Sequence, residues 1–340
     1  MKAKRNLFLR AARHPIGAAV CAGAVLLIAS NTQAQNLFVS DFNNGNIYEF
    51  TPGGTQSTFA SGLSYPAGLA FNSAGNLFVA NAINGNITEI TPNGTQSIYA
   101  TFFSPRALAF NNAGNLFVVC APAFPIHEIM PDGTESDFTT NRIYSYGLAF
   151  NSTGDLFVTS EAISTIFEFT PSGVQTTFSN SIPVTTPYAL AFDSAGDLFV
   201  SDDGGTIYKF TPSGAGSVFA SGFDFPTGLA FNSAGDLFVA DYGGNIYEIT
   251  PDGTTSIFAS GLNFPDGLAF EPTPELAATV TNSAIQVAVT MPSPYYSTII
   301  QVSTDMVNWT SVCTDTPPFT YTDSMGTTLP CRFYRALLGP

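Results

Sequence analysis

The tripeptides Leu-Phe-Val and Leu-Ala-Phe each occur six times in the chain, and the two series are out of step at its ends. Leu-Phe-Val starts at Leu37, Leu77, Leu116, Leu156, Leu198 and Leu237. Leu-Ala-Phe starts at Leu69, Leu108, Leu148, Leu190, Leu229 and Leu268. The first Leu-Phe-Val has no Leu-Ala-Phe before it, and the last Leu-Ala-Phe has no Leu-Phe-Val after it. Six units with one divided between the two ends is the pattern of a ring that closes on itself.

The phenylalanines of the second series follow one another at 39, 40, 42, 39 and 39 residues. That period suits a four-stranded propeller blade or a helical repeat. Composition selects the blade. Each unit is rich in Phe, Ile, Tyr, Val and Thr and is broken by Gly, Pro, Asn and Ser every eight to twelve residues or so. No apolar period of 3.6 residues runs long enough for a helix. One unit reads as a short strand A (Gly68 to Phe71), a turn (Asn72 to Gly75), strand B (Asn76 to Ala80), a Gly/Asn loop, strand C (Asn86 to Ile90), a Pro-x-Gly turn and an outer strand D (Ser97 to Ala100). Residues 36 to 60 then supply strands B, C and D of a blade whose strand A is Gly267 to Phe270, which removes two open sheet edges. The expected fold is all-β: a six-bladed propeller over 36–271, closed by N- and C-terminal strands, with a small β-sandwich over 272–340.

Residues 1–35 read as a signal peptide. Lys2, Lys4, Arg5, Arg10 and Arg13 precede an apolar run from Ile16 to Ala29, too short for a span of about 20 residues. Thr32-Gln33-Ala34 supplies small residues for cleavage after Ala34. The expected location is secreted, periplasmic or cell-surface. Those five cations are half of the ten in the chain, and none of the 25 acidic residues lies with them, so the remainder carries a net charge of −20. With no basic stripe, nucleic acid and anionic membrane surfaces are excluded as partners.

Beyond the repeats, Thr, Val and Ser rise and Trp309, the single tryptophan, reads as a core anchor. Cys313 and Cys331 bracket a β-rich stretch of this exported chain and are expected to form a disulfide. Cys120, after Leu-Phe-Val-Val, reads as a small buried filler, and His127 as part of a strand C.

The string Pro-Ala-Gly-Leu-Ala-Phe-Asn-Ser-Ala-Gly-Asn-Leu-Phe-Val-Ala at 66–80, followed by Asn86-Ile87-Thr88-Glu89-Ile90, resembles an NHL repeat. The pattern is shared by gluconolactonase/regucalcin-like propellers and resembles the streptogramin-lyase-like ones. Absence of Trp from the repeats disfavours WD and kelch types. Ser303-Thr304-Asp305-Met306-Val307-Asn308-Trp309 with Arg332-Phe333-Tyr334-Arg335 resembles the terminal fibronectin-like modules of secreted bacterial proteins. The lactonase resemblance implies a divalent cation such as Ca²⁺ in the channel, held in part by Asp or Asn at the start of strand A. The six equivalent positions here are Ala67, Arg106, Tyr146, Tyr188, Thr227 and Asp266, and only Asp266 keeps the acid. The lyase resemblance implies a catalytic His, for which only His127 remains beyond the leader.

Loops into strand A and loops from B to C share one face of this topology. That face collects Arg106, Tyr146, Tyr188 and Asp266, and also Asp41, Asn81, Glu161, Asp202, Asp203 and Asp241. Arg106 on so acidic a chain is expected to pair with a carboxylate. Three functions fit. The first is a non-enzymatic binding protein without a cofactor, gripping a polar ligand, a glycan or a peptide through Arg106, Tyr146, Tyr188 and Asp266. The second is a metal-assisted lactonase or esterase with Asp266, Glu161, Asp202 and Asp241 as candidate ligands. The third is a structural surface protein.

Overall fold

The six B strands, Leu37–Asp41, Leu77–Asn81, Leu116–Cys120, Leu156–Ser160, Leu198–Asp202 and Leu237–Asp241, are buried at every position. Each is covered on both faces, which is why their sequences run Leu-Phe-Val without alternating. The computed structural model describes residues 17–21, 24–28, 35–179, 184–272, 275–280, 285–290, 298–303, 310–315, 319–323 and 331–338.

Six four-stranded antiparallel sheets form the blades. Blade 1 is the composite one, with strand A (Pro265–Phe270) paired to Leu37–Asp41, then Asn46–Phe50 and Gln56–Ala60. Leu268 faces Val39 and Phe270 faces Leu37 in its register, so the two ends of the repeat region close one sheet. Blades 2 to 6 follow in chain order, with A strands Pro66–Phe71, Pro105–Phe110, Leu148–Phe150, Pro187–Phe192 and Pro226–Phe231. These A strands touch in sequence around the channel, and blade 1 touches blade 2 as well as blade 6.

The repeated phenylalanines are the inter-blade contacts. Phe78 of strand B meets Tyr99 of its own strand D edge-on, with centroids 4.9 Å apart, and Phe110 of the next blade's strand A, also at 4.9 Å. The same three-ring unit recurs around Phe38, Phe117, Phe157, Phe199 and Phe238. Its last copy, Phe238 against Phe270, joins blade 6 to blade 1 across the point of closure. Edge-to-face pairs add about 0.5–1.5 kcal/mol to the burial of each ring, so the six copies stabilise the ring at each blade boundary. The A–B turns form as expected: Asn72 Oδ1 accepts from the amides of Ala74 and Asn76, and Gly75 takes φ 78°.

Blades 3 and 4 depart from the pattern. Blade 3 has strands C and D of three residues each, His127–Ile129 and Glu135–Asp137, the former starting at His127 as expected. In blade 4 a 3₁₀ turn, Glu161–Ile163, replaces the Gly/Asn loop.

The described strands outside the propeller form two sheets. One runs Glu275–Val280, Ile285–Thr290, Phe319–Asp323. The other runs Ala24–Ile28, Gly17–Cys21, Cys331–Leu338, Thr298–Ser303, Thr310–Asp315. A discrete fibronectin-like sandwich over 272–340 is therefore not supported, because one of its sheets takes two strands from residues 17–28. Trp309 and most of the leader lie outside the described residues. The Cys313–Cys331 disulfide is contradicted by register. Cys313 lies opposite Ile300, and Ile300 opposite Ala336, five residues along from Cys331. Two strand spacings of about 4.8 Å and five rises of about 3.3 Å separate the two cysteines, whereas a disulfide needs Cα atoms within about 7 Å.

Candidate functional site

The end of each B strand fixes the channel face. Asp241 Oδ2 accepts from the amide of Asp224, just before strand A of its own blade, at 2.7 Å, and its Oδ1 accepts from Gly243 in the B–C turn, also at 2.7 Å. Asp202 accepts from the amides of Thr185 and Thr186 and from Gly204. Asp41 accepts from Asn263 and Asn44. Asn81 accepts from Ser64 through its amide oxygen. In four blades this side chain staples the loop entering strand A to the turn leaving strand B. Asp202 and Asp241 read in the sequence as candidate metal ligands, but their oxygens face backbone donors.

Two blades lack the staple. Cys120 and Ser160 stand at the equivalent positions of blades 3 and 4. Burial pushes the Cys120 thiol up to about 12, so it is a neutral filler, as expected. Blades 3 to 5 supply the side chains that break the repeat consensus at the mouth. The Tyr146 and Tyr188 rings stack with centroids 4.6 Å apart and planes 14° from parallel. The Arg106 guanidinium lies 5.7 Å from the ring centroids of both Tyr146 and Phe42, an arrangement of cation–π type. The expected ion pair is absent: among the described residues no carboxylate lies within ion-pair distance of Arg106. Its Nε is buried without a hydrogen-bond partner.

Asp266 is 6 % exposed. Burial pushes its carboxyl up to about 7, opposed by the positive charge of Arg106. Its strand is held by Ser40, whose Oγ accepts from the Gly267 amide at 2.7 Å and donates to the Ala67 carbonyl at 2.7 Å. Burial also raises the Tyr188 hydroxyl well above its ordinary value, with the Asp266 charge adding to it, and raises Tyr146. Both phenols are therefore neutral donors at any physiological pH.

A cavity of about 200 Å³ opens at this point, lined by Arg106, Tyr146, Glu161, Thr186, Tyr188, Asp203 and Phe225. Glu161 turns a buried, unpartnered Oε2 into this region, and burial, with Asp203 nearby, raises its carboxyl. The structure thus brings together Arg106, Tyr146, Tyr188 and Glu161, sets Asp266 close enough to Arg106 and Tyr188 for their charges to act on one another, and holds Asp202 and Asp241 in staples. Phe42, Tyr144 and Thr186 also reach the mouth from variable loop positions, and Phe225 reaches it from a position that repeats, since Tyr65 and Phe264 likewise precede the proline of strand A with positive φ.

The donor set does not suit a divalent cation. Ca²⁺ takes six to eight oxygens from several groups, and no cluster of three or more His, Cys, Asp or Glu able to hold a metal exists among the described residues. The side chain beside Asp266 is a cation. His127 lines neither cavity at the mouth; it stacks on Phe102 at 4.7 Å with Nδ1 2.8 Å from Asp137 Oδ1.

No protein-family model and no curated protein sequence matches the chain. Solved structures do. Virginiamycin B lyase from Staphylococcus aureus is 16 % identical with a TM-score of 0.50, covering 81 % of this chain and 95 % of its own. A gluconolactonase from Xanthomonas campestris is 13 % identical with a TM-score of 0.56, covering 96 % and 99 %. The aldose sugar dehydrogenase of Streptomyces coelicolor, in its PQQ-bound form, is 15 % identical with a TM-score of 0.52, covering 69 % and 90 %. At these identities the likeness concerns the fold: the chain is a six-bladed β-propeller of the kind on which those lyases, lactonases and dehydrogenases are built.

Proposed function

We propose that the channel mouth hydrolyses an ester or lactone. The observation that carries this is Arg106, which lines the cavity and whose buried Nε has no protein partner, with Asp266, a buried carboxyl raised to about 7, near enough for the two charges to act on one another. A base poised near the working pH combines useful ionisation with driving force for proton transfer. An unpartnered guanidinium donor is a prepared site for an oxygen that gains negative charge. In this reading the ionised Asp266 takes a proton from water and the water oxygen bonds to the carbonyl carbon. The carbonyl electron pair moves to the oxygen held by Arg106. Collapse of the adduct breaks the bond to the leaving oxygen, which takes the proton back from Asp266. Tyr146, Tyr188 and Glu161 position the substrate through neutral donors and one acceptor. No step is routed through a metal, because the donor set around Asp266 does not fit one.

The enzymatic character of the fold relatives supports this reading over simple binding. The stacked Tyr146–Tyr188 pair favours a second one, non-catalytic capture of a glycan or peptide, since flat amphipathic rings suit both. A panel of lactones and aryl esters separates them. Turnover by the wild type, reduced at least about 100-fold in Arg106→Ala with unchanged circular dichroism, is the expected result. Binding on glycan or peptide arrays without any turnover assigns the mouth to capture instead. Export is proposed from the leader pattern of residues 1–34, and N-terminal sequencing of protein recovered outside the cytoplasm, expected to begin at Gln35, tests it.

A further inference from the structure

A second, larger cavity of about 430 Å³ lies where blades 2, 3 and 4 meet at the same face, and Arg106 and Tyr146 line both cavities. The chemistry of the two differs. The smaller one carries Glu161, Asp203 and Thr186. The larger one sets Ile83, Phe102, Phe103 and Pro122 among the polar side chains Asn84, Ser104 and Tyr144, and Arg106 is the one charged side chain in its wall.

The cause is local to blade 3. Where the four stapled blades leave strand B through Asn/Gly or Gly/Gly turns, blade 3, which has no staple, continues Cys120-Ala121-Pro122-Ala123-Phe124-Pro125. Cys120 offers no carboxylate to cap a turn. The backbone link survives, since the Ala121 amide donates to the Ser104 carbonyl at 3.0 Å, as Ala82 does to Tyr65 at 3.1 Å in blade 2. What is lost is the polar turn, and Ala121 and Pro122 take its place in the cavity wall. Phe103 stands over Phe124 with centroids 5.4 Å apart. Phe103 and Ile83 are each 67 % exposed, which places two large apolar side chains in solvent at the rim of one cavity. Isolated exposed apolar residues are ordinary; two together at the lip of a cavity of ligand size offer an apolar contact surface beside its polar groups.

We infer that this cavity receives the alkyl or aryl portion of the substrate, with its carbonyl carbon at the Arg106 partition and its polar portion in the smaller cavity. The inference rests on the hydrolase reading for the position of the carbonyl, and it names the substrate class: esters or lactones bearing an extended apolar group. The product of such a reaction is an acid whose carboxylate meets Arg106 and whose chain lies against Phe103 and Ile83.

The probes are octanoate and acetate, which share a carboxylate and differ in chain length, measured by calorimetric titration of the full chain. Octanoate is expected to bind at least tenfold more tightly than acetate. In Ile83→Ser/Phe103→Ser the difference is expected to collapse below threefold. Both side chains point into solvent, so the fold is expected to hold, and an unchanged melting temperature verifies that. Equal affinity for the two acids in the wild type overturns the inference. So does a preference for octanoate that survives in the double variant, because it places the chain elsewhere. The two readings fail separately. Chain-length-dependent binding with no turnover of any ester removes the hydrolase reading and keeps the chain site at Ile83 and Phe103. Turnover of short lactones with no preference for octanoate does the reverse.

Discussion

Four groups at the ends of the B strands, Asp41, Asn81, Asp202 and Asp241, look alike as a set of channel-face oxygens, yet each is fully engaged by its own blade. An acidic residue after Leu-Phe-Val-x gives no hint of whether water, metal or backbone amides face it. The entering-loop amides that claim it lie 16 to 17 residues away in blades 2, 5 and 6 and 222 residues away in blade 1. Replacing Asp241 with Ala orphans two backbone donors and is expected to cost about 1–3 kcal/mol in denaturant unfolding. Asp241→Asn keeps an acceptor oxygen, as Asn81 does in blade 2, and is expected to cost less than half of that. Asp266 behaves in the opposite sense. Its folded-state carboxyl titrates at about 7, against an ordinary value near 3.9. Between those values the native state binds more protons than the unfolded chain, so this group's contribution to stability is fully present at low pH and is lost as pH rises from about 4 to about 7. Asp266→Asn is expected to gain stability relative to wild type over that window, on the order of a few kcal/mol by pH 8. Glu271, raised to about 7 by burial and by Glu49, acts in the same direction, so the comparison is made between variant and wild type at each pH.

At the scale of the strand, the parts legible in the sequence were those repeated six times. The Leu-Phe-Val and Leu-Ala-Phe phenylalanines mark the inter-blade ring contacts, and the pattern of their spacing is the blade. Phe238→Ala is expected to cost about 3–5 kcal/mol, read from the urea midpoint, because it empties the boundary between blades 6 and 1 where Phe258 and Phe270 meet it. The site was only partly legible. Arg106, Tyr146, Tyr188 and Asp266 stand out because they interrupt a consensus at one register. The cavity walls do not: Phe42 and Phe103 sit in loops of free composition, and Phe225 repeats the aromatic-Pro step of Tyr65 and Phe264 and so looks like part of the blade. The second cavity had a faint signal, the Ala-Pro-Ala-Phe-Pro run in place of a Gly-rich turn. Close packing of the A strands adds a constraint visible only in three dimensions. A methyl on Gly228 overlaps the Asp266 carbonyl oxygen across the blade boundary. Gly228→Ala is therefore expected to shift the strand that carries Asp266 and to lower stability by about 1–3 kcal/mol, with turnover falling further than the loss of folded protein explains.

For the whole molecule, closure is the organising constraint. The ring is joined by a sheet whose strand A and strand B are more than 220 residues apart in sequence, and the ends of the repeat region hold it shut through backbone hydrogen bonds such as Glu271 to Asn36. Deleting residues 36–60 removes strands B, C and D of blade 1 and exposes sheet edges on both sides of the gap. The truncated chain is expected to be insoluble or to melt without cooperativity. A cooperative transition near the full-length temperature would refute the shared blade. The C-terminal segments form strands as their β-rich composition implies, but the discrete sandwich and the disulfide do not follow, because partner choice and cysteine register are set by pairings that composition leaves open.

The central claim is that a closed propeller holds Asp266 and Arg106 together as an ester-cleaving site at one channel mouth. Its most direct test is the pH dependence of kcat/KM for a lactone or aryl ester, measured for wild type and Asp266→Asn. With Asp266 as the base, the wild-type rate rises with pH, is half-maximal at about 7 and then levels. The variant retains its fold, loses about 100-fold or more in rate and shows no inflection there. A wild-type profile that is flat through pH 7, or one that Asp266→Asn leaves unchanged, contradicts the assignment.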